Sequence, residues 1–170
     1  RSLAEFDALI FTSANGVDRF FARARKVLPK PPARPRALYA IGPATAHALA
    51  LRGWRGALLP EEYEGGALAR RLGRVRGRRI LLARAAEARE ILPRLLRRGG
   101  ASLSVVAVYR VIPDPSGCRR IRTEAEGGNL DWVTFTSSST VERFVAAATR
   151  RGTRKLFARD KAASIGPITS

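Results

Sequence analysis

Short apolar runs alternate with segments of helical periodicity along the first half of the chain. The run ALIF at residues 8–11 is followed by Val17, Phe20, Phe21 and Ala24, which share one helix face because they are spaced i, i+3, i+4 and i+7. This pattern is typical of a buried strand that leads into an amphipathic helix. The same alternation predicts further strands at 37–42, 56–60, 78–83 and 101–112, and further helices at 43–53, 65–72 and 87–98. It therefore predicts an α/β fold whose parallel sheet is covered on both faces.

Three segments depart from this regular alternation. Pro93 lies inside the helix predicted at 87–98, so we expect that helix to begin late or to kink. The run at 101–112 is longer than its neighbours and ends at prolines, so we expect it to leave the first domain and connect to a second. Residues 114–128 are polar and rich in glycine, and we expect them to form an irregular loop.

The pattern around the first strand is repeated near the end of the chain. When the sequence is shifted by 124 positions, seven of the fourteen residues from Asp7 to Phe20 are identical to their counterparts. The same shift, without a gap, aligns IGPAT at 41–45 with IGPIT at 165–169. Two separated blocks that share one offset indicate an internal duplication of two similar doubly wound domains, and the period is too long for a solenoid.

The duplication also suggests domain boundaries. We predict a first α/β domain at 1–102, a linker strand at 103–113 and part of a second α/β domain at 114–170. Residues 47–78 and 79–107 have no counterpart at this offset, and the chain contains no methionine. We therefore expect the chain to be the interior of a longer protein, with an incomplete second domain.

The formal net charge is +18, from 32 basic and 14 acidic residues. Arginine is spread along nearly every segment and aromatic residues make up only 7%, whereas nucleic-acid binders usually concentrate their charge in a stripe with interleaved aromatic residues. Two interpretations stay open, namely a basic composition on solvated helix faces and a polyanionic small ligand. A third, nucleic-acid binding, rests on charge alone.

Other features bear on location and chemistry. No run of eighteen apolar residues and no signal segment occur, which argues against membrane insertion and secretion. The single cysteine, Cys118, excludes an intramolecular disulfide and fits a reducing cytoplasm. Metal-binding, nucleophile-elbow and P-loop motifs are missing from the sequence. We expect His47 to be a surface or packing side chain, and the cluster of Glu61, Glu62 and Glu64 to be ordinary charge at a helix start.

Hydroxyl-bearing turns follow two predicted strands in each copy. In a doubly wound sheet the carboxyl ends of the strands meet at one edge, where helix N-termini present free N–H groups. Hydroxyl groups beside these amides favour carboxylate or phosphate ligands, and we expect the edges of the two domains to face one anion-binding cleft. The simpler alternative is that these side chains only cap helices. The residues concerned are Thr12, Ser13, Thr45, Thr136, Ser137 and Thr169.

Tyr109 is a further candidate because it lies on the predicted connecting strand. A phenol at this position would face the cleft between the domains. The alternative is a packed tyrosine whose hydroxyl group reaches the edge of the core.

The sequence resembles the uroporphyrinogen-III synthase family. The resemblance covers most of the 170 residues and rests on six segments in that family's order, DALIFTSANGV, YAIGPATAHAL, EGGALARRL, ILLARAAEAREILPRLLRRGGASLSVVAVYRV, VTFTSSSTVERF and SIGPITS. It implies two similar α/β domains joined by a two-stranded ladder. The segment SVVAVYRV at 104–111 resembles one of those linker strands.

The resemblance also implies an activity, that of a cyclising lyase of tetrapyrrole (haem) biosynthesis. Its small polycarboxylate substrate, hydroxymethylbilane, loses water and closes to uroporphyrinogen III with the last pyrrole ring inverted. No metal or organic cofactor, nucleic acid or membrane is implied, and we expect a cytoplasmic monomer. Much of the catalysis is expected to be positional, since the enzyme holds the linear substrate folded for closure.

Residue roles are implied by position in the same way. Tyr109 resembles a tyrosine that assists loss of the substrate hydroxyl group. Both ends of the family's sequence are missing, so two alternatives stay open. One is that the chain is inactive, and the other is that it is a non-catalytic two-domain binder of polyanionic small ligands. The residues that resemble substrate-contacting positions are Thr12, Ser13, Thr45, Ser137 and Thr169.

Overall fold

The computed structural model describes residues 3–112, 114–127, 130–157, 161–166 and 169, and only the backbone of residues 155 and 156. The chain divides into two compact units, Arg1–Val111 and Ile112–Ser170. No helix in the described ranges is both long and apolar enough to cross a bilayer.

The first unit is built on a parallel sheet of four strands in the order β2, β1, β3, β4. A short 3-10 turn at Leu3–Glu5 precedes it. The strands are β1 (Ala8–Phe11), β2 (Ala37–Ala40), β3 (Arg79–Ala85) and β4 (Ser102–Tyr109), and the helices are α1 (Ala14–Val27), α2 (Pro43–Leu51), α3 (Gly65–Leu72) and α4 (Ile91–Arg98). The predicted α/β fold with a parallel sheet is confirmed.

Helices cover both faces of this sheet. On one face, Leu9 and Phe11 of β1 pack with Val17 and Phe21 of α1 and with Leu49 of α2. Burial on both faces explains why the strands read as continuous apolar runs. The opposite face packs alternate strand residues against α3 and α4, and its core contains Ile10, Ile80, Leu82, Leu68, Leu72, Leu92 and Leu96.

Two predicted elements of the first unit differ in extent from the observed ones. Helix α4 begins at Ile91, later than the predicted residue 87, and Pro93 lies in its first turn. A proline is tolerated there because the first N–H groups of a helix have no intrahelical acceptor. The predicted strand at 56–60 is reduced to one parallel bridge between Leu58 and Tyr39. Gly56, two residues before Leu58, has a positive φ of 72°.

Strand β4 belongs to the sheet of the first unit. It pairs with β3 from Arg79 opposite Ser102 onward, and the first unit extends to Val111. The residues that we assigned to a linker strand, 103–113, therefore overlap this sheet strand. Their role as a connection between domains stays a prediction.

The second unit begins with a helix where a loop was expected. Its elements are α5 (Pro115–Gly127), β5 (Val133–Phe135), α6 (Ser138–Ala147), α7 (Arg150–Phe157) and β6 (Ala162–Ser164), and β5 pairs with β6 in parallel. The described core of this unit centres on Ala125, Phe135 and Phe144.

The prediction of an irregular loop at 114–128 is wrong for the described part of that segment, because α5 occupies nearly all of it. The Asp114 carboxylate accepts hydrogen bonds from the N–H groups of Ser116 and Gly117 at 3.0 and 3.1 Å. Pro115 suits the first helical position because its φ angle is already helical. Ile121 and Ala125, one turn apart, pack on the core of this unit.

The two units share one local geometry at the 124-residue offset. Leu9 of β1 lies opposite Leu38 of β2, and Val133 of β5 lies opposite Ala162 of β6, which are the corresponding positions. In both copies a phenylalanine of the first strand meets one of the following helix edge to face, with ring centroids 5.3 and 5.4 Å apart. The sequence repeat is thus also a repeat of strand register and packing.

Candidate active site

The strand order of the first unit creates a switch point between β1 and β3. From β1 the chain moves to β2 on one side, and from β3 it moves to β4 on the other side. The connections that leave β1 and β3 therefore diverge, and a crevice opens beyond the carboxyl ends of these strands. Parallel α/β sheets bind their ligands in such crevices.

Ser13 closes the turn between β1 and α1. Its backbone is extended, with φ −164° and ψ 152°, and its hydroxyl oxygen accepts a hydrogen bond from the N–H of Gly16 at 3.0 Å. The N–H groups of Ala14 and Asn15 find no acceptor within the described residues. They give the first turn of α1 the donors and the partial positive charge that suit an anion.

Tyr109 meets Ser13 at this edge. The hydroxyl groups of Tyr109 and Ser13 lie 3.1 Å apart, and either can donate the hydrogen bond. Both side chains are partly buried. Sequence reasoning selected these two residues separately, and the structure brings them together.

A β-bulge precedes this contact. Arg84 lies opposite Ala107, but Ala85 lies opposite Tyr109, so the register shifts by one residue and Val108 is left without a partner on β3. A bulge reverses the direction in which the next side chain leaves the strand. The bulge therefore determines on which side of the sheet the phenol of Tyr109 lies.

Thr12 and Thr45 occupy the same edge without joining this contact. Thr45 lies in the first turn of α2 and is only 3% exposed, whereas Thr12 is half-buried. Neither hydroxyl group makes a hydrogen bond to another described residue. No fully buried side-chain oxygen or nitrogen in the described ranges lacks a partner, so the Thr45 hydroxyl group reaches the surface.

The corresponding groups of the second unit are placed differently in detail. Ser137 caps α6 through its hydroxyl oxygen, which accepts from the N–H of Thr140 at 3.3 Å, and the Thr140 hydroxyl closes a reciprocal capping box. Thr136 is exposed. Thr169 is half-buried, and its N–H donates to the carbonyl oxygen of Gly166 at 2.9 Å. Ser137 therefore has a capping role that the alternative interpretation anticipated.

Arg84 is a polar residue of this edge that sequence reasoning missed. It lies in the apolar run of β3, is 5% exposed, and pairs with Glu90 at 2.7 Å. Its guanidinium group also donates to carbonyl oxygens of the loop that follows β3. The available signal was a charged residue at the end of an otherwise apolar strand.

The remaining candidates show no sign of chemistry. His47 is exposed, and Cys118 is a half-buried free thiol on α5. No group of three or more His, Cys, Asp or Glu side chains suited to a metal ion occurs in the part of the chain that the structure describes.

Comparison with known proteins bears on the whole chain. The family model for uroporphyrinogen-III synthase HemD matches residues 1–170. A protein of Methanothermobacter thermautotrophicus with a provisional uroporphyrinogen-III synthase name is 35% identical, over 99% of this chain and 69% of its own length. The porphyrin biosynthesis protein HemD of Ruminiclostridium josui is 28% identical, over 86% of this chain and 30% of its own length.

Solved structures share the fold. A crystal structure of a mutant uroporphyrinogen III synthase from the extremely thermophilic bacterium Thermus thermophilus matches with a TM-score of 0.69 at 23% identity, over 98% of this chain and 68% of that one. The uroporphyrinogen-III synthetase of Helicobacter pylori matches with a TM-score of 0.55 at 18% identity, over 97% of this chain and 78% of that one.

Proposed function

The chain belongs to the uroporphyrinogen-III synthase family, and from that premise we propose that it cyclises hydroxymethylbilane to uroporphyrinogen III with inversion of the last pyrrole ring and loss of water. The observation that carries the proposal is the contact between the Ser13 and Tyr109 hydroxyl groups at the switch point of the sheet. It joins two side chains that can donate hydrogen bonds beside a helix N-terminus that attracts anions.

The start of α1 would bind carboxylates of the substrate. The N–H groups of Ala14 and Asn15, which have no acceptor among the described residues, belong to the first turn, and the helix dipole adds partial positive charge there. The hydroxyl groups of Thr12 and Thr45 supply further donors at the same edge. Such contacts would hold the linear tetrapyrrole folded, which favours ring closure by proximity.

Tyr109 would act on the leaving hydroxyl group of the substrate. A phenol O–H group is a hydrogen-bond donor. When the carbon–oxygen bond breaks, the oxygen keeps the bonding electrons, gains one proton and departs as water, and formation of the new carbon–carbon bond releases one proton from the pyrrole carbon that it joins. A hydrogen bond from Tyr109 stabilises the charge that develops on this oxygen, and Ser13 orients the phenol.

The second unit would contribute through its own copy of the turns. Ser137 and Thr169 occupy the positions of Ser13 and Thr45 at the 124-residue offset. We include both as substrate-binding residues and regard the two units as copies of one ancestral doubly wound domain. The matching strand registers support this origin. The protein would act as a cytoplasmic monomer.

A coupled assay tests the proposed reaction. Freshly generated hydroxymethylbilane is added to the chain, the product is oxidised, and the type I and type III isomers are separated by chromatography. We expect mainly type III, because spontaneous closure gives the uninverted type I isomer. Binding of the substrate with only type I product would instead identify a non-catalytic binder of polyanions.

A further inference from the structure

The loop between β3 and α4 is folded around one buried cation. The guanidinium group of Arg84 donates from Nε to the carbonyl oxygen of Ala85 at 3.2 Å, from Nη1 to that of Arg89 at 3.4 Å, and from Nη2 to that of Ala88. Its charge is paired with the Glu90 carboxylate at 2.7 Å. A guanidinium group presents five N–H donors in a fixed plane, so these contacts fix the backbone of the loop from several directions.

The same loop binds the end of β4. The N–H of Ala86 donates to the carbonyl oxygen of Tyr109 at 2.9 Å. The Glu87 carboxylate accepts from the N–H of Val111 at 3.3 Å. The backbone of Tyr109 and of Val111, two residues later, is therefore fixed by the loop that Arg84 organises.

The ladder between β3 and β4 shifts its register and then ends at Ala85 and Tyr109, and the loop begins there. The bulge opposite Ala85 interrupts the register between β3 and β4 immediately before Tyr109. Beyond this interruption the strand no longer determines the position of the phenol by ladder hydrogen bonds alone. The contacts of Ala86 and Glu87 supply the missing constraint.

We infer that Arg84 is a positioning residue, which sets the place of the Tyr109 hydroxyl group against Ser13 through the loop of residues 85–90. The expected effect on catalysis rests on the proposed function, whereas the expected effect on the position of the Tyr109 hydroxyl group does not. Arg84 does not itself offer its charge to the substrate, because its side chain is buried and its donors are occupied within the loop. Loss of these contacts would let the phenol move, and a displacement of about 1 Å can lower a rate by up to about a hundredfold.

A double-mutant cycle tests the inference in the full chain. We expect Arg84→Met to lower kcat by about tenfold with KM changed less than about twofold, since substrate contacts stay in place. In a Tyr109→Phe background the same substitution should lower kcat by less than about twofold, because the hydroxyl group that it displaces is already gone. Arg84→Lys keeps one charged donor and should recover part of the loss. Arg79→Met, an exposed position on the same strand, is the matched control and should leave kcat unchanged.

Hydrogen exchange provides a readout that does not need activity. In Arg84→Met, and to a smaller extent in Arg84→Lys, the amides of Ala86 and Val111 should exchange at least about tenfold faster, while the core amides of β1 keep their rates. Unchanged exchange at Ala86 and Val111, or additive losses of kcat in the cycle, would overturn the inference. Faster exchange in a chain without synthase activity would uphold the structural link and reject the proposed function instead.

Discussion

The hydroxyl groups of Ser13 and Tyr109 lie 3.1 Å apart although 96 positions separate them in the sequence. Ser13 ends the turn after the central strand β1, and Tyr109 ends the edge strand β4. They meet because β4 bulges at Val108, opposite the end of β3, and because the start of α1 lies close to the end of β3, where a Cβ added at Gly16 would lie 3.9 Å from the Ala83 carbonyl oxygen. Ser13 both caps α1 and contacts the hydroxyl group of Tyr109. Mutation can separate these two roles.

Replacement of Tyr109 by phenylalanine should slow turnover more than it weakens ligand binding. The substitution removes one hydroxyl group and keeps the ring that packs at the end of β4. Loss of a hydrogen bond to developing charge corresponds to roughly a tenfold lower kcat. The measurement compares kcat in the coupled assay with the dissociation constant of uroporphyrin III, the oxidised product.

The control for this prediction is the thermal stability of the variant. An unchanged rate with an unchanged melting temperature would remove Tyr109 from the mechanism. An unchanged kcat with a raised KM and weaker product binding would assign it to binding alone.

Ser13→Ala and Ser137→Ala should destabilise their helices alike but differ in catalysis. Each substitution removes an N-cap oxygen, and this loss lowers the free energy of unfolding by about 1 kcal/mol. Ser13 hydrogen-bonds Tyr109, so we expect Ser13→Ala to lower kcat, whereas we expect Ser137→Ala to raise KM. Urea denaturation and steady-state kinetics measure the two effects.

Asparagine at position 13 is the matched variant, because it caps a helix about as well as serine but places an amide where the hydroxyl group was. Ser13→Asn should keep the stability and still lose turnover. If it keeps both, the contact with Tyr109 has no catalytic role.

Much of this architecture could be predicted from the sequence because it depends on local pattern. The run ALIF predicts β1, the spacing of Val17 and Phe21 predicts α1, and the repeated TS and IGP segments predict a repeated geometry. Ser13 could be selected because a capping serine after a strand is a local signal.

The remaining features depend on contacts between distant segments. A sequence does not show that the ladder between β3 and β4 slips at Ala85, and this slip brings Tyr109 to Ser13. It shows Arg84 only as a charge in an apolar run, since its partners are loop carbonyl groups that exist only after folding. The missed helix α5 is different, because Asp114 and Pro115 were a readable start signal that the polar composition outweighed.

Gly16→Ala should raise the stability of the protein and lower its turnover. An added Cβ at Gly16 would lie 3.0 Å from the Ser13 hydroxyl oxygen, so that oxygen must move by a few tenths of an ångström. The second copy carries Thr140 at this position and keeps its cap at 3.3 Å, so the movement is tolerated there. Because alanine favours helix more than glycine, the free energy of unfolding should rise by up to about 1 kcal/mol.

Turnover of Gly16→Ala should nevertheless fall, because the shifted Ser13 no longer holds the Tyr109 phenol in place. Differential scanning calorimetry and the coupled assay test both halves. A variant that is more stable and fully active would show that the Ser13–Tyr109 distance does not limit the reaction.

The start of α5 should respond to acid through Asp114. Hydrogen bonds from the Ser116 hydroxyl group at 2.7 Å and from the N–H groups of Ser116 and Gly117 favour the charged carboxylate and lower the pKa of Asp114 below its ordinary value. An aspartate pKa lowered on folding stabilises the folded state above the unfolded pKa of about 4, and that contribution is lost as the pH falls through the lower, folded pKa.

The amide of Gly117, followed by NMR from pH 6 downward, should therefore shift only below about pH 4. Asp114→Asn retains a capping oxygen without a titrating group, so its Gly117 amide should not follow this transition. A Gly117 amide that shifts equally in both proteins would show that another group titrates.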